Sequence, residues 1–207
     1  HPIEKRGDQQ LRQKLVNRIK PFILRRLKTD VAKELPEKTT IEVNIDMNEQ
    51  QSKLYEAVRA TMQENIQKIV AEKGFKRSQI QILDALLKLR QVCCHPSLLK
   101  LDSVKTGQAH SAKLEQLMDM VVPMVEEGRK ILIFSQFTSM LELIEQQLHH
   151  AEIGYVKLTG KTKKRDEVIT AFQSGQVPVF LISLKAGGVG LNLTAADTVI
   201  HYDPWWN

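Results

Sequence analysis

A parallel α/β sheet with helices on both faces, preceded by a mainly helical segment, is the fold predicted by this 207-residue sequence. Three observations lead there. From Ser111 onward, amphipathic helical stretches alternate with short apolar runs in the order helix, strand, helix, strand, helix, strand, strand. Two of those runs, Lys130-Ile131-Leu132-Ile133-Phe134 and Val179-Phe180-Leu181-Ile182, are almost wholly apolar, as parallel strands covered on both faces are. A glycine cluster, Lys185-Ala186-Gly187-Gly188-Val189-Gly190, follows the second run at its carboxyl end, where open α/β sheets place ligands.

Taken in order, Leu11 to Leu27 sets Leu11, Leu15, Ile19 and Ile23 on a basic background, an amphipathic helical pattern interrupted at Pro21. Thr40 to Asp46 alternates strictly, which predicts a half-buried strand, expected at the edge of the later sheet. Asn48 suits the N-cap of a long helix with Leu54, Val58, Met62, Ile66 and Ile69 on one face, broken by Gly74. Ser78 to Val92 is apolar almost all round and reads as a buried helix ending before His95-Pro96. Ser111 caps a helix carrying Leu114, Leu117, Met118, Val121, Val122 and Val125, with a kink expected at Pro123 and an end at Gly128. Helices at Ser139–His149 and Lys163–Phe172 then separate the strands Lys130–Phe134, Tyr155–Leu158 and Val179–Ile182, and Thr198-Val199-Ile200 adds a last strand. A helical part, residues 1–107, thus precedes an α/β part, residues 108–207.

The net charge of +6 is confined to one segment. Residues 1–40 hold 11 Lys/Arg against 5 Asp/Glu, while the other 167 residues hold 19 against 19. Such a block suits an acidic partner, nucleic acid first among candidates, and equally suits a solvated basic helix face. No apolar run is long enough for a membrane span or a signal peptide. Cys93-Cys94-His95 invites a metal reading, but there is no second spaced pair, so small buried residues in a reducing, intracellular compartment are expected instead. The chain lacks an initial Met and stops at Asn207 beside two tryptophans, like a piece of something longer.

Several familiar motifs fail on inspection. Gly154 to Thr162 approaches a P-loop, but five residues separate its glycines and a strand occupies the spacer. No acidic pair follows an apolar strand to hold Mg²⁺. Gly188-Val189-Gly190 lacks the third glycine of a dinucleotide fingerprint, Leu193 standing in its place. Asp203-Pro204-Trp205-Trp206 differs from the Asp-Pro-Pro-Tyr loop of amino-group methyltransferases at Trp205. His110, His149, His150 and His201 show no ligand spacing. Lys161, Lys163, Lys164 and Arg165 gather at a helix start, where the macrodipole disfavours cations, and this favours a contact with phosphate.

Taken together, the blocks resemble the carboxyl-terminal, RecA-like motor lobe of the Swi/Snf-type ATP-dependent DNA translocases of helicase superfamily two. Pro21 to Val31 with Glu34-Leu35-Pro36-Glu37-Lys38 is similar to the family's segment linking two motor lobes, and Leu89 to Leu99 to its Cys-His-Pro block. Lys130 to Phe137 resembles helicase motif IV, and Leu158 to Thr162 the Leu-x-Gly-x-Thr block. Ser183 to Thr194 resembles motif V, and Tyr202 to Asn207 its extension. The similarity covers nearly the whole chain in the right order. The amino-terminal lobe with its P-loop and acidic motif, and the arginines of motif VI, are not in this sequence.

The resemblance implies a two-lobe motor that closes on ATP and Mg²⁺ and tracks along duplex DNA without reading its sequence. It places Ser135, Gln136, Thr159, Gly160, Lys161, Ser183, Lys185, Gly187 and Trp205 on the DNA side, and Gly188, Gly190 and Asn192 on the ATP side. No catalytic residue or metal ligand is expected within this chain, nor tight nucleotide binding by it alone. Expected partners are double-stranded DNA, the missing lobe and a protein target on DNA, in the cytoplasm or nucleoid of a prokaryote or a eukaryotic nucleus. The reading from a different class is a passive scaffold whose basic segment docks another domain.

Overall fold

Apolar side chains alternating along the central strands decide the architecture. The computed structural model describes residues 7–24, 38–99, 110–187 and 190–204. It divides into two units, residues 1–43 and 44–207. In the first, α1 (Gln9–Ile19) is capped by Asp8, whose carboxylate accepts from the Leu11 amide at 3.0 Å, and runs into a 3-10 turn, Lys20–Phe22, carrying Pro21. Leu11, Leu15 and Ile19 of this helix remain exposed.

The second unit begins with a helical pair. Asn48 accepts from the Gln51 amide at 2.8 Å and starts α2 (Glu49–Lys73), which Gly74 ends with φ of +75°. α3 (Gln79–Cys94) packs on it through Val58 and Val92, joined by Leu54, Tyr55, Met62 and Leu89. One polar clasp supplements this packing: the Gln51 amide nitrogen donates to the Val92 carbonyl at 2.7 Å. Next follow a 3-10 turn, Pro96–Leu98, then α4 (Ala112–Glu126), β1 (Ile131–Ser135), α5 (Thr138–His150), β2 (Tyr155–Leu158), α6 (Arg165–Gln173) and β3 (Val179–Ser183). A helical turn, α7 (Leu184–Gly187), and β4 (Thr198–His201) complete the series. α4 accommodates Pro123 and continues to Glu126.

All pairings in the sheet are parallel, with order β2-β3-β1-β4. Odd-numbered Ile131, Ile133, Val179 and Leu181 pack on one face against Leu117 and Val121 of α4 and Leu141, Ile144 and Leu148 of α5. Leu132, Phe180 and Ile182 face the other way, onto Phe172, Val168 and Ile169 of α6. This division follows from chirality. The β1-to-β2 crossover runs one way across the sheet and the β2-to-β3 crossover runs back, so right-handed connections must lie on opposite faces.

Two sequence expectations are corrected. Thr40 to Asp46 forms no strand: Ile41 is 80% exposed, and alternation without a neighbouring strand to pair with leaves the backbone unladdered. Helix α3 is not buried all round, since Ile80 (78% exposed), Leu83 and Leu86 lie open on the side away from Val92 and Ala85.

His95 closes α3 and accepts from the Ser97 amide through Nδ1 at 3.1 Å. Burial, and secondarily His110, lowers its pKa below the usual imidazole range. The unfolded chain therefore takes up the proton first, so this contribution to stability is full above the ordinary histidine value and declines as pH falls below it. Urea melts at pH 7.5 and 5.5 should show a smaller pH-dependent loss for His95→Asn, which retains an acceptor for the Ser97 amide, than for the unaltered chain.

Candidate functional site

Connections from adjacent strands to opposite faces open a crevice at the strands' carboxyl ends. β1 leads to α5 on one face, whereas the segment after β3 packs Leu191, Leu193, Ala195 and Ala196 against the other. The crevice therefore lies between β1 and β3, where Ser135 and Ser183 pair in register. Around it converge the turns after β1, β2, β3 and β4.

After β1, the Ser135 hydroxyl is wholly enclosed and accepts from the Phe137 amide at 3.1 Å, shaping the turn. The Gln136 amide lies 3.1 Å from both carboxylate oxygens of Asp203. Burial pushes the Asp203 carboxyl above the usual carboxylate range, while the Ser135 hydroxyl, the Gln136 amide and Arg90 oppose that shift. Arg90 of α3 donates to the Gln136 side-chain oxygen at 2.8 Å.

After β2, Thr159 to Thr162 forms a self-supporting turn. The Thr162 hydroxyl accepts from the Thr159 amide at 3.0 Å, and the Thr162 amide returns a bond to the Thr159 carbonyl at 3.1 Å. Gly160 and Lys161 are exposed at its tip. Of the basic cluster, Lys164 pairs with Glu167 at 2.9 Å and Arg165 donates to the Ala186 carbonyl at 3.1 Å. The acidic first turn of α6, Asp166 and Glu167, offsets the local positive charge. Lys161 and Lys163 point to solvent without ion pairs among the described residues.

After β3, the chain enters α7 directly rather than a loose glycine loop. Ser183 is 3% exposed, and its hydroxyl has no hydrogen-bond partner among the described residues. Lys185 projects outward. Gly187 lies so close to the sheet that a Cβ there would sit 2.8 Å from the Phe134 ring. Gly190, with φ of +48°, is exposed, as is Asn192, whose carbonyl accepts from the Gln173 amide at 3.1 Å. Gln173 also accepts from the Ala195 amide at 2.9 Å and so ties the returning segment to α6. Gly188 and Trp205 lie outside the described residues.

The structure thus gathers Ser135, Gln136, Thr159, Gly160, Lys161, Ser183, Lys185 and Gly187 along one rim, with Gly190 and Asn192 farther along the segment that follows β3. Sequence reasoning missed Arg90, Gln173 and the inward-facing Asp203, and it grouped Arg165 with the expected phosphate contacts, whereas its side chain donates to the Ala186 carbonyl. Arg90 alone carried a signal, a permanent charge near the end of a largely apolar helix.

The Cys93-Cys94-His95 block serves packing and anchoring. Burial raises the Cys94 thiol to about 12, and its carbonyl accepts from the Ser111 and Tyr202 hydroxyls, each at 2.8 Å. Tyr202→Phe should cost about 1 kcal/mol, because Ser111 still satisfies that carbonyl. Denaturant titration measures it, and a loss several times larger would contradict this assignment.

Comparison with known proteins agrees with this geometry. The helicase conserved C-terminal domain family matches residues 112–207 and the SNF2-related domain family residues 1–98. A putative ATP-dependent helicase/translocase of Bacillus subtilis, YwqA, is 35% identical over 100% of this chain and 23% of its own length. The Sulfolobus solfataricus SWI2/SNF2 ATPase core in complex with dsDNA has a TM-score of 0.70 at 34% identity, over 98% of this chain and 43% of that one. A Sulfolobus solfataricus SWI2/SNF2 ATPase C-terminal domain has a TM-score of 0.66 at 36% identity, over 80% of this chain and 72% of that one. The chain spans only part of the length of the curated relatives it matches, about a fifth (19% to 23%) of three of them. By its ordered sequence blocks, its sheet and these likenesses, this chain belongs to the SWI2/SNF2 family of ATPases.

Proposed function

We propose that the chain is the second motor lobe of an ATP-dependent translocase on double-stranded DNA, gripping the sugar-phosphate backbone and completing the ATP site of a longer protein. The observation that carries this reading is the rim at the β1–β3 crevice. It presents a neutral side-chain amide at Gln136, an exposed turn at Gly160-Lys161 and an outward cation at Lys185, while the Ser183 hydroxyl, without a partner among the described residues, is enclosed. Amides, hydroxyls and lysines of this kind hold phosphates in register and carry no base preference, as a sequence-independent track requires. Ser135 contributes by holding the turn, and Gly187 by letting α7 lie close to the sheet. The helical part to residue 107 and the α/β part from 108 are proposed as the two parts of this lobe, supported by family matches that meet between residues 98 and 112.

ATP use is proposed for the longer protein, in line with the ATP-dependent helicases among the relatives. Gly190 and Asn192 suit the ATP side: a left-handed glycine permits close backbone approach, and an exposed amide can meet a ribose hydroxyl. Asp203 is turned inward onto the Gln136 amide, so Mg²⁺ and the P-loop are assigned to the other lobe. Trp205 and Gly188 remain part of the proposed DNA and ATP sides respectively. Among the described residues, no helix is long and apolar enough to cross a membrane.

Equilibrium binding of two labelled duplexes, equal in length and unrelated in sequence, tests the reading. Equal affinities for the two are expected. Absence of binding, or strong preference for one, would contradict it and favour a scaffold.

A further inference from the structure

We propose that Arg90 is a positioning residue that turns the Gln136 side chain so that its amide N–H₂ faces the DNA backbone; this rests on the reading above. A guanidinium has donors and no acceptor, so the Gln136 atom 2.8 Å from Arg90 Nη1 is its oxygen. The nitrogen must then face the other way. It has no partner among the described residues, leaving two donors for phosphate oxygens.

Arg90 is itself held in place. Its Nη2 lies 3.4 Å from the Asp203 carbonyl, 3.5 Å from the Pro204 carbonyl and 3.9 Å from the Asp203 carboxylate. Its guanidinium sits 5.8 Å from the centre of the Phe137 ring, and the side chain is 18% exposed. Gln136 is consequently pinned at two points, its backbone N–H by Asp203 and its side-chain oxygen by Arg90. The carboxyl end of α3, from which Arg90 projects, is fixed by Gln51 on the Val92 carbonyl and by Ser111 and Tyr202 on the Cys94 carbonyl. The helical pair thereby acts on the rim through one side chain.

A neutral amide releases no counterion when it meets a phosphate. Loss of Gln136 therefore weakens DNA binding without flattening its salt dependence, and loss of a residue acting only through Gln136 does the same. Duplex affinity across a salt series is to be measured for the unaltered chain, Arg90→Ala, Gln136→Ala, the double variant and Lys185→Ala. Each of the first two variants should lose about two- to tenfold in affinity, the range of one neutral hydrogen bond. The double variant should match Gln136→Ala alone, and all three should keep the unaltered salt slope. Arg90→Lys, which still offers a donor to the Gln136 oxygen, should recover most of the loss.

Losses that multiply in the double variant, an unchanged affinity in Arg90→Ala, or a slope flattened by about one unit in that variant would overturn the proposal. If Arg90→Ala does not fold, Arg90→Met keeps the apolar stem without the donors and takes its place. Lys185→Ala separates DNA binding by the rim from the positioning role of Arg90. If it and Gln136→Ala both leave affinity and slope unchanged, the DNA reading itself fails; if Lys185→Ala flattens the slope while the Arg90 variants do nothing, only the positioning role fails.

Discussion

Phe180→Ala is expected to lower stability by about 3–5 kcal/mol, the range for a large aromatic removed from a packed core. Phe180 sits in β3 between Leu132 of β1 and Val156 of β2, is 0% exposed, and its ring centre lies 5.3 Å from that of Phe172. That face of the sheet is closed by α6 and the segment after β3, so neighbours on three sides must collapse to fill the space. Val199→Ala, on the exposed side of edge strand β4, should cost well under about 1 kcal/mol. Chemical denaturation of both variants is the check. Equal losses would contradict a sheet covered on both faces.

Much of this sheet was legible because its signals are local. The runs at Ile131, Tyr155, Val179 and Thr198 are short, apolar and bounded by turn residues, and all four strands form there. Asn48 and Ser111 cap the helices expected of them, because a cap needs only the next few residues. Strand order was not legible, since β1 pairs with β3 and β4 across long intervals that no local pattern encodes. Thr40 to Asp46 misled for the same reason: alternation records a preference for a half-buried ladder, but the partner strand must come from elsewhere. α3 misled in the opposite sense, since Ile80, Leu83 and Leu86 gave an apolar surface that the rest of the unit leaves open.

The rim divides along similar lines. Ser135, Ser183 and Lys185 could be placed from the strand ends alone. Arg90 could not, because its partners lie 46 and 113 residues away at Gln136 and Asp203. Nor could the basic cluster be sorted from sequence. Lys164 and Arg165 have local structural partners, and only the fold distinguishes them from Lys161 and Lys163.

That distinction sets the second large effect. Replacing Lys161, Lys163 and Lys185 together by Ala should weaken duplex binding and flatten its salt dependence. A lysine that neutralises a phosphate releases condensed counterions, so removing it takes about 0.9 from the slope of log K against log salt. Core packing should be unaffected, since Lys161 is exposed at a turn tip, Lys185 is exposed on α7 and Lys163 is exposed ahead of α6. The basic segment ahead of residue 40 is expected to attract duplex by itself, so the informative quantity is the difference between variant and unaltered chain rather than either affinity. The slope of log K against log salt for one duplex, measured side by side for the unaltered chain and this triple variant, tests the central claim most directly. A phosphate-gripping rim predicts a variant slope shallower by about 0.9 for each lysine that meets a phosphate. Identical slopes and affinities would contradict it.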